Sequence, residues 1–228
     1  MNTVSVIIPT VNEEFYIERC LSALFAQDYD KPFEIIVVDG YSEDKTKEIA
    51  NGYDAKIIES FVRNQGYQSN LGAYYSNPKT DLYFFTNADT IVPKNWISRI
   101  VEEFGRDKNT VMTGTINYPI PGEGYQTFYR LWNAGKRVLD NFSIPIIPGC
   151  SMAILKDTFY RVGGFSRDVD TDADMTLKAR RIGNVRLIHD TAVVTSTRGF
   201  KRRHGKFIKV VNPLIYRLSR RRYDLRRY

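Results

Sequence analysis

The stretches VSVIIPT at residues 4–10 and EIIVVDG at residues 34–40 decide the fold of this chain. Each is a short run of mostly apolar, β-branched residues, and each precedes a stretch of helical periodicity, at residues 14–26 and 43–50. Further apolar runs at residues 56–58 and 82–86 precede helical stretches at residues 66–75 and 96–104. Strands that stay apolar on both faces are typical of a sheet covered by helices. The pattern predicts an α/β three-layer sandwich of the Rossmann type with a mostly parallel central sheet.

Short segments that carry polar residues lie at the carboxyl ends of three of these predicted strands. They are Pro9-Thr10, Asp39-Gly40 and Asn87-Ala88-Asp89. In open α/β sheets, ligands bind beyond the carboxyl ends of the strands, so we expect these residues to border one crevice. No glycine-rich dinucleotide or P-loop motif follows any strand, which argues against a dehydrogenase and a P-loop ATPase.

Two acidic clusters point to the chemistry. Asp89 follows a buried strand, and Asp170, Asp172 and Asp174 precede a second helical run. Carboxylates from distant elements can hold a divalent cation against phosphates and also deprotonate a nucleophile. The clusters predict an enzyme that acts on an activated phosphate compound.

Composition and cysteine usage indicate one compact catalytic domain. The chain has 228 residues, of which 43% are hydrophobic and 13% aromatic, enough for a large core. Cys20 and Cys150 lack metal-ligand spacing, so we expect buried free thiols and a cytoplasmic protein. No window approaches the roughly 20 apolar residues that span a bilayer, and no leader segment opens the sequence, so any membrane contact would be peripheral.

The positive charge is concentrated at the C-terminal end. Residues 197–228 contain 12 of the 33 Lys and Arg residues and one acid, whereas the formal net charge of the whole chain is +7. We divide the chain into a catalytic domain, residues 1–196, and a basic amphipathic helical tail, residues 197–228. The tail suits an anionic membrane surface, for example the inner membrane face, but nucleic acid or packing on the core are alternatives.

Five stretches, in this order, carry a family resemblance. The chain resembles the inverting family 2 glycosyltransferases of the GT-A fold over residues 4–14, 34–46, 87–90, 148–165 and 171–183. The resemblance implies transfer of a sugar from a nucleotide diphosphate sugar, with UDP- or GDP-sugars expected first, to an acceptor hydroxyl. It also implies a Mg²⁺ or Mn²⁺ ion.

The resemblance assigns a nucleotide-binding set. It places Asp39 at the base and Glu13 near the base or ribose, and it places the cation on Asp89. The remaining expected contacts come from Pro9, Arg63, Asn70, Asn87 and Ala88. Asn87 stands where the family usually has the first aspartate of its Asp-x-Asp motif, so its amide would face the ribose. Ordinary alternatives remain: helix capping for Asp39 or Asp89, a dipole contact for Glu13 and a buried amide for Asn70.

The second half of the resemblance supplies the reacting groups. Asp172 matches the family's catalytic base, with Thr171 in place of the usual glutamate. Asp174 would orient the acceptor or Lys178, and the aspartates could also cap the helix. Segment Gly149-Cys150-Ser151 would line the donor-sugar pocket and Gly164 the acceptor side, although both could be turn residues. His204 is a candidate late metal ligand, with a surface position as the alternative.

Two other functions fit parts of the sequence. A nucleotidyltransferase would share the α/β layout, but it should carry a basic glycine-rich loop after the first strand, where this chain has Asn12-Glu13-Glu14. A non-catalytic nucleic-acid-binding module would explain the tail and leave the acidic crevice without a role, so nucleic acid is the less favoured partner. The acceptor is expected to be a hydroxyl compound, including lipid-linked and polysaccharide acceptors.

Overall fold

The computed structural model describes residues 3–141, 145–166 and 171–198. Eight strands and seven helices lie in these residues. The strands are β1 (Val4–Thr10), β2 (Phe33–Asp39), β3 (Lys56–Glu59), β4 (Leu82–Phe85), β5 (Thr90–Ile91), β6 (Thr110–Pro119), β7 (Met152–Leu155) and β8 (Asn184–Thr195). The helices are α1 (Ile17–Phe25), α2 (Thr46–Asn51), α3 (Gln65–Tyr74), α4 (Trp96–Arg106), α5 (Gln126–Asn141), α6 (Lys156–Arg161) and α7 (Thr171–Ala179).

All eight strands form one sheet in the order β3-β2-β1-β4-β7-β6-β8-β5. The first four strands in this order are parallel, as the alternation of strands and helices predicts. Strand β7 then runs antiparallel to both β4 and β6, β6 pairs with β8 in parallel, and β5 is antiparallel to β8. The sheet is therefore mixed, with four parallel pairings among seven.

Both faces of the sheet are buried, which confirms the three-layer prediction. Val6 and Ile8 of β1 belong to the core that includes α1 and α4. Ile7, between them, belongs to the second core, with α3, α6 and α7. Successive side chains of a strand point to opposite faces, so a strand covered on both sides is mostly apolar along its whole length.

Two helices begin later than the periodicity predicts. Helix α1 begins at Ile17 and α2 at Thr46. The backbone N–H groups of Glu13 and Glu14 donate to the side chains of Thr46 and Asp44, which holds residues 12–14 in a loop. The loops after β1 and β2 are thus joined by side chain to backbone hydrogen bonds, which compete with helix formation.

The cysteines confirm the expectation of free thiols. Cys20 and Cys150 are buried free thiols. None of the helices in the described part of the chain has both the length and the apolar content that crossing a bilayer requires.

Trp96 at the start of α4 fastens that helix to the segment before β7. Its indole is fully buried and packs edge-on against Phe84, with ring centroids 5.2 Å apart. Its Nε1 donates to Ser151 Oγ over 2.8 Å, and the same oxygen lies 2.7 Å from the hydroxyl of Thr115 on β6. The buried indole of Trp96 thus holds Ser151, which belongs to the segment predicted to line the donor-sugar pocket.

We predict that Trp96→Phe destabilises the protein by about 2–4 kcal/mol, because the change leaves a cavity and removes a buried hydrogen bond. For a chain of this size the melting temperature should fall by about 4–16 °C, as calorimetry would measure. Trp132→Phe is the matched control, since Trp132 is partly exposed and stacks on Phe128. Equal effects of the two substitutions would contradict this role of Trp96.

Candidate active site

The carboxyl ends of β1 and β2 form one side of the site. Thr10 pairs with Asp39 in the register of the two strands. The Asp39 carboxylate is buried and accepts hydrogen bonds from the backbone N–H of Ser42, at 2.9 Å, and from its hydroxyl, at 2.5 Å. Asp39 therefore closes the turn after β2, and it does so at the strand end where the sequence predicts a base-binding carboxylate.

Arg63 lies over this same turn. Its guanidinium donates to the carbonyl oxygens of Gly40, at 3.0 Å, and Tyr41, at 2.6 Å, and it forms an ion pair with Glu43 at 2.6 Å. Arg63, which the resemblance assigns to the nucleotide-binding set, stabilises the loop beside Asp39 in this structure.

The Asn87-Ala88-Asp89 segment follows β4 at the same edge. Ala88 is buried, and the side-chain oxygen of Asn87 accepts a hydrogen bond from Gln65 over 3.0 Å. Asp89 Oδ1 accepts from the Thr195 hydroxyl at 3.3 Å. Asp89 follows β4, and Thr195 is the last residue of β8. Their hydrogen bond therefore joins the ends of two strands that are far apart in sequence.

Arg198 joins Asp89 to Glu13. One guanidinium nitrogen contacts the Glu13 carboxylate and lies 3.4 Å from Asp89 Oδ2, while the guanidinium stacks 4.0 Å above the Tyr16 ring. Glu123 fixes the preceding residues by accepting hydrogen bonds from the hydroxyl of Ser196 and the backbone N–H of Thr197. Three loops thereby meet in one charged cluster.

The electrostatics of this cluster fit a divalent cation. The side chains of Glu13 and Asp89 are only 20% and 16% exposed. Burial raises the pKa of both carboxyls, even though Arg198 acts to lower it. Two largely buried carboxylates thus share the single positive charge of Arg198. When both are ionised, the cluster has a net negative charge that a cation would neutralise. Hard divalent cations that bind diphosphates take one or two protein carboxylates, which is the set present here.

No group of three or more His, Cys, Asp or Glu side chains suited to a metal occurs in the described residues. Within the described residues, Asp89 and Glu13, whose carboxylates share Arg198, are the candidate ligands for a cation. The other candidate ligand, His204, lies outside the described residues, as do residues 199–228 of the predicted basic tail.

Asp172 lies in the first turn of α7 and reaches the segment before β7. Its Oδ2 accepts a hydrogen bond from the backbone N–H of Gly149 over 2.8 Å. A Cβ atom at position 149 would lie 2.1 Å from Asp172 Oδ1, so only glycine permits this approach. Asp172 borders a small cleft whose other walls include Pro9, Gly66, Thr86 and Phe165.

Asp89 and Asp172 both lie close enough to Cys150 for their charges to act on its thiol. Burial, first of all, raises the pKa of the Cys150 thiol to about 12; Lys136 opposes the rise, and the charges of Asp172 and Asp89 add to it. The carbonyl oxygen of Cys150 accepts from the Thr86 hydroxyl at 2.9 Å. The two predicted acidic groups are therefore gathered around the 149–151 segment. The Ser151 side chain points away from them, toward Trp96.

Asn70 and the predicted acceptor-side residues Gly164 and Asp174 belong to a second polar network. Asn70 receives the backbone N–H of Phe165 and donates to its carbonyl oxygen, both at 2.9 Å. Gly164 adopts a φ of +65°, and a Cβ there would approach Asn70 Oδ1 to 2.6 Å. Asp174 pairs with Lys178 at 2.6 Å and accepts from Ser166 at 2.7 Å. Asn70 and Asp174 thus hold residues 164–166 in place beside Asp172.

Three residues of the site region escape the sequence analysis. Arg198 is counted there with the basic tail, although its position shortly after a strand was an available signal. Glu123 and Lys136 are not singled out, because an acid in a turn and a lysine in a helix usually face solvent. Only the folded chain shows that Glu123 binds residues 196–197 and that Lys136 is buried.

Comparison with known proteins agrees with this architecture. Residues 5–163 match the model of glycosyl transferase family 2. A dolichyl N-acetyl-glucosaminyl phosphate diacetamido-dideoxy-glucuronosyltransferase of Methanococcus voltae is 35% identical over 116 residues, 47% of this chain and 36% of that protein. An uncharacterized glycosyltransferase of Rickettsia typhi is 27% identical over 199 residues, 83% of this chain and 62% of the relative. The chain thus spans from about a third to about two thirds of these relatives.

Solved structures share the fold. The Pyrobaculum calidifontis mannosyltransferase in complex with GDP-Man and Mn²⁺ superposes with a TM-score of 0.66 at 24% identity, over 85% of this chain and 56% of that one. Staphylococcus aureus TarS with UDP-GlcNAc gives 0.69 at 20% identity, over 87% and 59%. The architecture is that of the GT-A glycosyltransferases, and the family match covers most of the chain. The chain belongs to glycosyl transferase family 2.

Proposed function

We propose that the protein transfers a sugar from a nucleotide diphosphate sugar to an acceptor hydroxyl with inversion at the anomeric carbon. The observation that carries this proposal is that the Gly149–Ser151 segment contacts Asp172 through the Gly149 N–H and lies within electrostatic reach of Asp89 at Cys150. A donor bound with its diphosphate at Asp89 and its sugar on that segment would present its anomeric carbon toward Asp172.

Asp172 is the general base in this proposal. Inversion by direct displacement requires a carboxylate that takes the acceptor proton on the face opposite the departing diphosphate. The N–H of Gly149 fixes one oxygen of Asp172, and the absence of a Cβ at that position lets the carboxylate sit against the sugar segment. A rigidly held base loses little freedom when the reaction occurs.

Asp89, together with Glu13, holds the Mg²⁺ or Mn²⁺ ion. A divalent cation bound there would neutralise the charge that develops on the departing diphosphate. Arg198 adds a fixed positive charge at the same place. The neighbour that was solved with GDP-Man and Mn²⁺ supports this proposal by analogy of fold.

The nucleoside is proposed to lie along the carboxyl ends of β1 and β2. Pro9 and Asp39 lie at this edge of the sheet, and Arg63 and Asn87 lie in the neighbouring loops. The buried position of Asp39 suits a carboxylate that receives the N–H groups of a base, because both its oxygens already accept hydrogen bonds and each can accept another. UDP- and GDP-sugars are the donors proposed first, as in the two structural neighbours.

A lipid-linked hydroxyl compound is the proposed acceptor class. The Methanococcus voltae relative acts on a dolichyl-linked sugar phosphate, as its name states. The cationic residues in 197–228 would favour an anionic membrane surface, so we propose a cytoplasmic protein that works at that surface. A nucleotidyltransferase is disfavoured because Asn12-Glu13-Glu14 form an acidic loop tied to α2.

We predict that UDP or GDP with Mn²⁺ raises the melting temperature by about 5–11 °C at a hundredfold excess over the dissociation constant. Ligands that bind only the folded state stabilise it by mass action. A thermal-shift screen of UDP, GDP, CDP and dTDP, with and without Mn²⁺, measures this. The matching monophosphates are the control, and no shift with any diphosphate would contradict the proposed function.

We predict that Asp172→Asn lowers turnover by about 10²- to 10⁴-fold and leaves donor affinity nearly unchanged, because the amide cannot accept the acceptor proton. Calorimetry with a nucleotide sugar and a single-turnover assay separate the two quantities. Asp157→Asn, an exposed change in the first turn of α6, is the control. Wild-type turnover in Asp172→Asn would remove this residue from the base role.

We predict that Asp89→Asn weakens Mn²⁺ binding by about 10- to 100-fold, since losing even an outer-shell partner has effects of that size. Paramagnetic relaxation of water protons by Mn²⁺ measures binding without any assay of activity. Asp190→Asn, which alters an exposed carboxylate paired with Arg99, should bind Mn²⁺ as the wild type does. Unchanged Mn²⁺ affinity in Asp89→Asn would place the cation elsewhere.

A further inference from the structure

Helix α5 buries polar side chains and exposes apolar ones. Asn133 and Lys136 are 5% and 3% exposed, whereas Leu131 and Val138 are 69% and 55% exposed. The usual amphipathic helix shows the opposite arrangement, with its apolar side facing the core. The inward polar face of α5 therefore needs an explanation other than packing.

Lys136 is a buried ammonium with a neutral partner. Its Nζ donates to Asn117 Oδ1 on β6 over 3.0 Å and lies 5.9 Å from the centre of the Trp132 ring. Burial lowers its pKa to about 8, and the charges of Cys150 and Asp172 oppose that shift. A buried charge of this kind is seldom worth keeping for stability alone, because a packed apolar side chain does as well or better.

Asn133 adds a buried acceptor that lacks a donor. Its Nδ2 donates to the backbone carbonyl of Asn117 over 2.8 Å, and that carbonyl fixes the orientation of the amide. Its Oδ1 is then buried without a hydrogen-bond partner among the residues that the structure describes. Unsatisfied buried acceptors are rare, and each one calls for a reason such as a ligand or a bound water.

The two side chains lie beside the proposed reaction centre. Both are anchored on Asn117, so the ammonium and the amide are neighbours. Asn117 follows Thr115 on β6 by two residues, and the Thr115 hydroxyl lies 2.7 Å from Ser151 Oγ, which places the pair near residues 149–151. In agreement with this position, the charges of Lys136 and Asp172 act on each other. The pair thus adjoins the segment that is proposed to line the donor-sugar pocket and the carboxylate that is proposed as the base.

We propose that Asn133 and Lys136 together bind one hydroxyl group of a sugar substrate. A hydroxyl both accepts and donates, so it can take a hydrogen bond from the Lys136 ammonium and give one to Asn133 Oδ1. A carboxylate or phosphate would leave Asn133 Oδ1 without a donor. This inference rests on the proposed function, and the hydroxyl belongs either to the transferred sugar of the donor or to the acceptor.

This arrangement would make the pair a specificity determinant. A site that hydrogen-bonds a substrate hydroxyl strongly rejects the analogue that lacks it, because its buried polar groups are then left unpaired. Sugars that differ at one hydroxyl would therefore be separated by Asn133 and Lys136.

The test combines side-chain variants with deoxy substrates. Lys136→Met and Asn133→Leu remove the two proposed partners, and Lys136→Gln retains an amide donor in case an apolar variant fails to fold. Arg137→Met, at the next and exposed position, makes the same change in charge and is the control. Calorimetry with Mn²⁺ compares UDP and GDP with UDP-glucose, UDP-N-acetylglucosamine, GDP-mannose and the deoxy analogues of the tightest of these.

If the hydroxyl belongs to the donor, Lys136→Met should weaken nucleotide-sugar binding by about 10- to 100-fold and leave UDP or GDP binding unchanged. One deoxy analogue should lose as much affinity for the wild type and little for Lys136→Met, which is the coupling that a direct contact produces, whereas Lys136→Gln, which retains a donor, should keep part of the discrimination. A purely structural role would lower the melting temperature without such coupling.

If the hydroxyl belongs to the acceptor, donor binding should stay unchanged. The same coupling should then appear in the KM for p-nitrophenyl glucoside and its deoxy analogues, while hydrolysis of the donor by water is unaffected. Absence of coupling at every position of both substrates, in a folded variant, overturns the inference. If the wild type binds none of the nucleotides, the proposed function fails as well, so the two failures are distinguishable.

Discussion

The parallel pairing of β1 with β2 on one side and with β4 on the other is the constraint on which the site depends. It brings Thr10, Asp39 and the start of the Asn87–Asp89 segment to the same edge of the sheet. Because both faces of these strands are covered by helices, the polar groups of the site lie beyond their carboxyl ends. The loops that follow are then held by side chains, as between Asn12 and Ser42, rather than by further regular structure.

Several charged side chains of the candidate site are largely buried. Glu13 and Asp89 are both largely buried, and Arg198 is the cation that the described residues place between them. Lys136 is buried as well, and its charge and that of Asp172 act on each other. Interactions between charges are stronger in such surroundings than in water, so small changes in position have large electrostatic effects. This is the setting that a reaction with a departing diphosphate and a moving proton requires.

Several side chains near the candidate site hold its loops in position. Arg63 secures the turn after β2, Asn70 secures Gly164 and Phe165, and Trp96 secures Ser151. A precise site needs such support, because a reacting group that is held loosely gains little from proximity. The buried polar face of α5 is the exception, since it stabilises no loop of the site and leaves Asn133 Oδ1 without a partner in the described residues.

The sequence by itself determined the layers and the edge of the site. Runs such as VSVIIPT are mostly apolar on both faces, which is typical of strands that are buried on both sides, and the family motifs place Asp89 and Asp172 in order. It could not reveal the antiparallel entry of β7 or the contacts of Arg198 with Glu13 and Asp89, which span most of the chain. Nor could it show that Lys136 points inward, because helical periodicity reports which residues share a face and not which face is buried. Only the tertiary structure decided those points, since long-range packing sets the direction in which each helix faces.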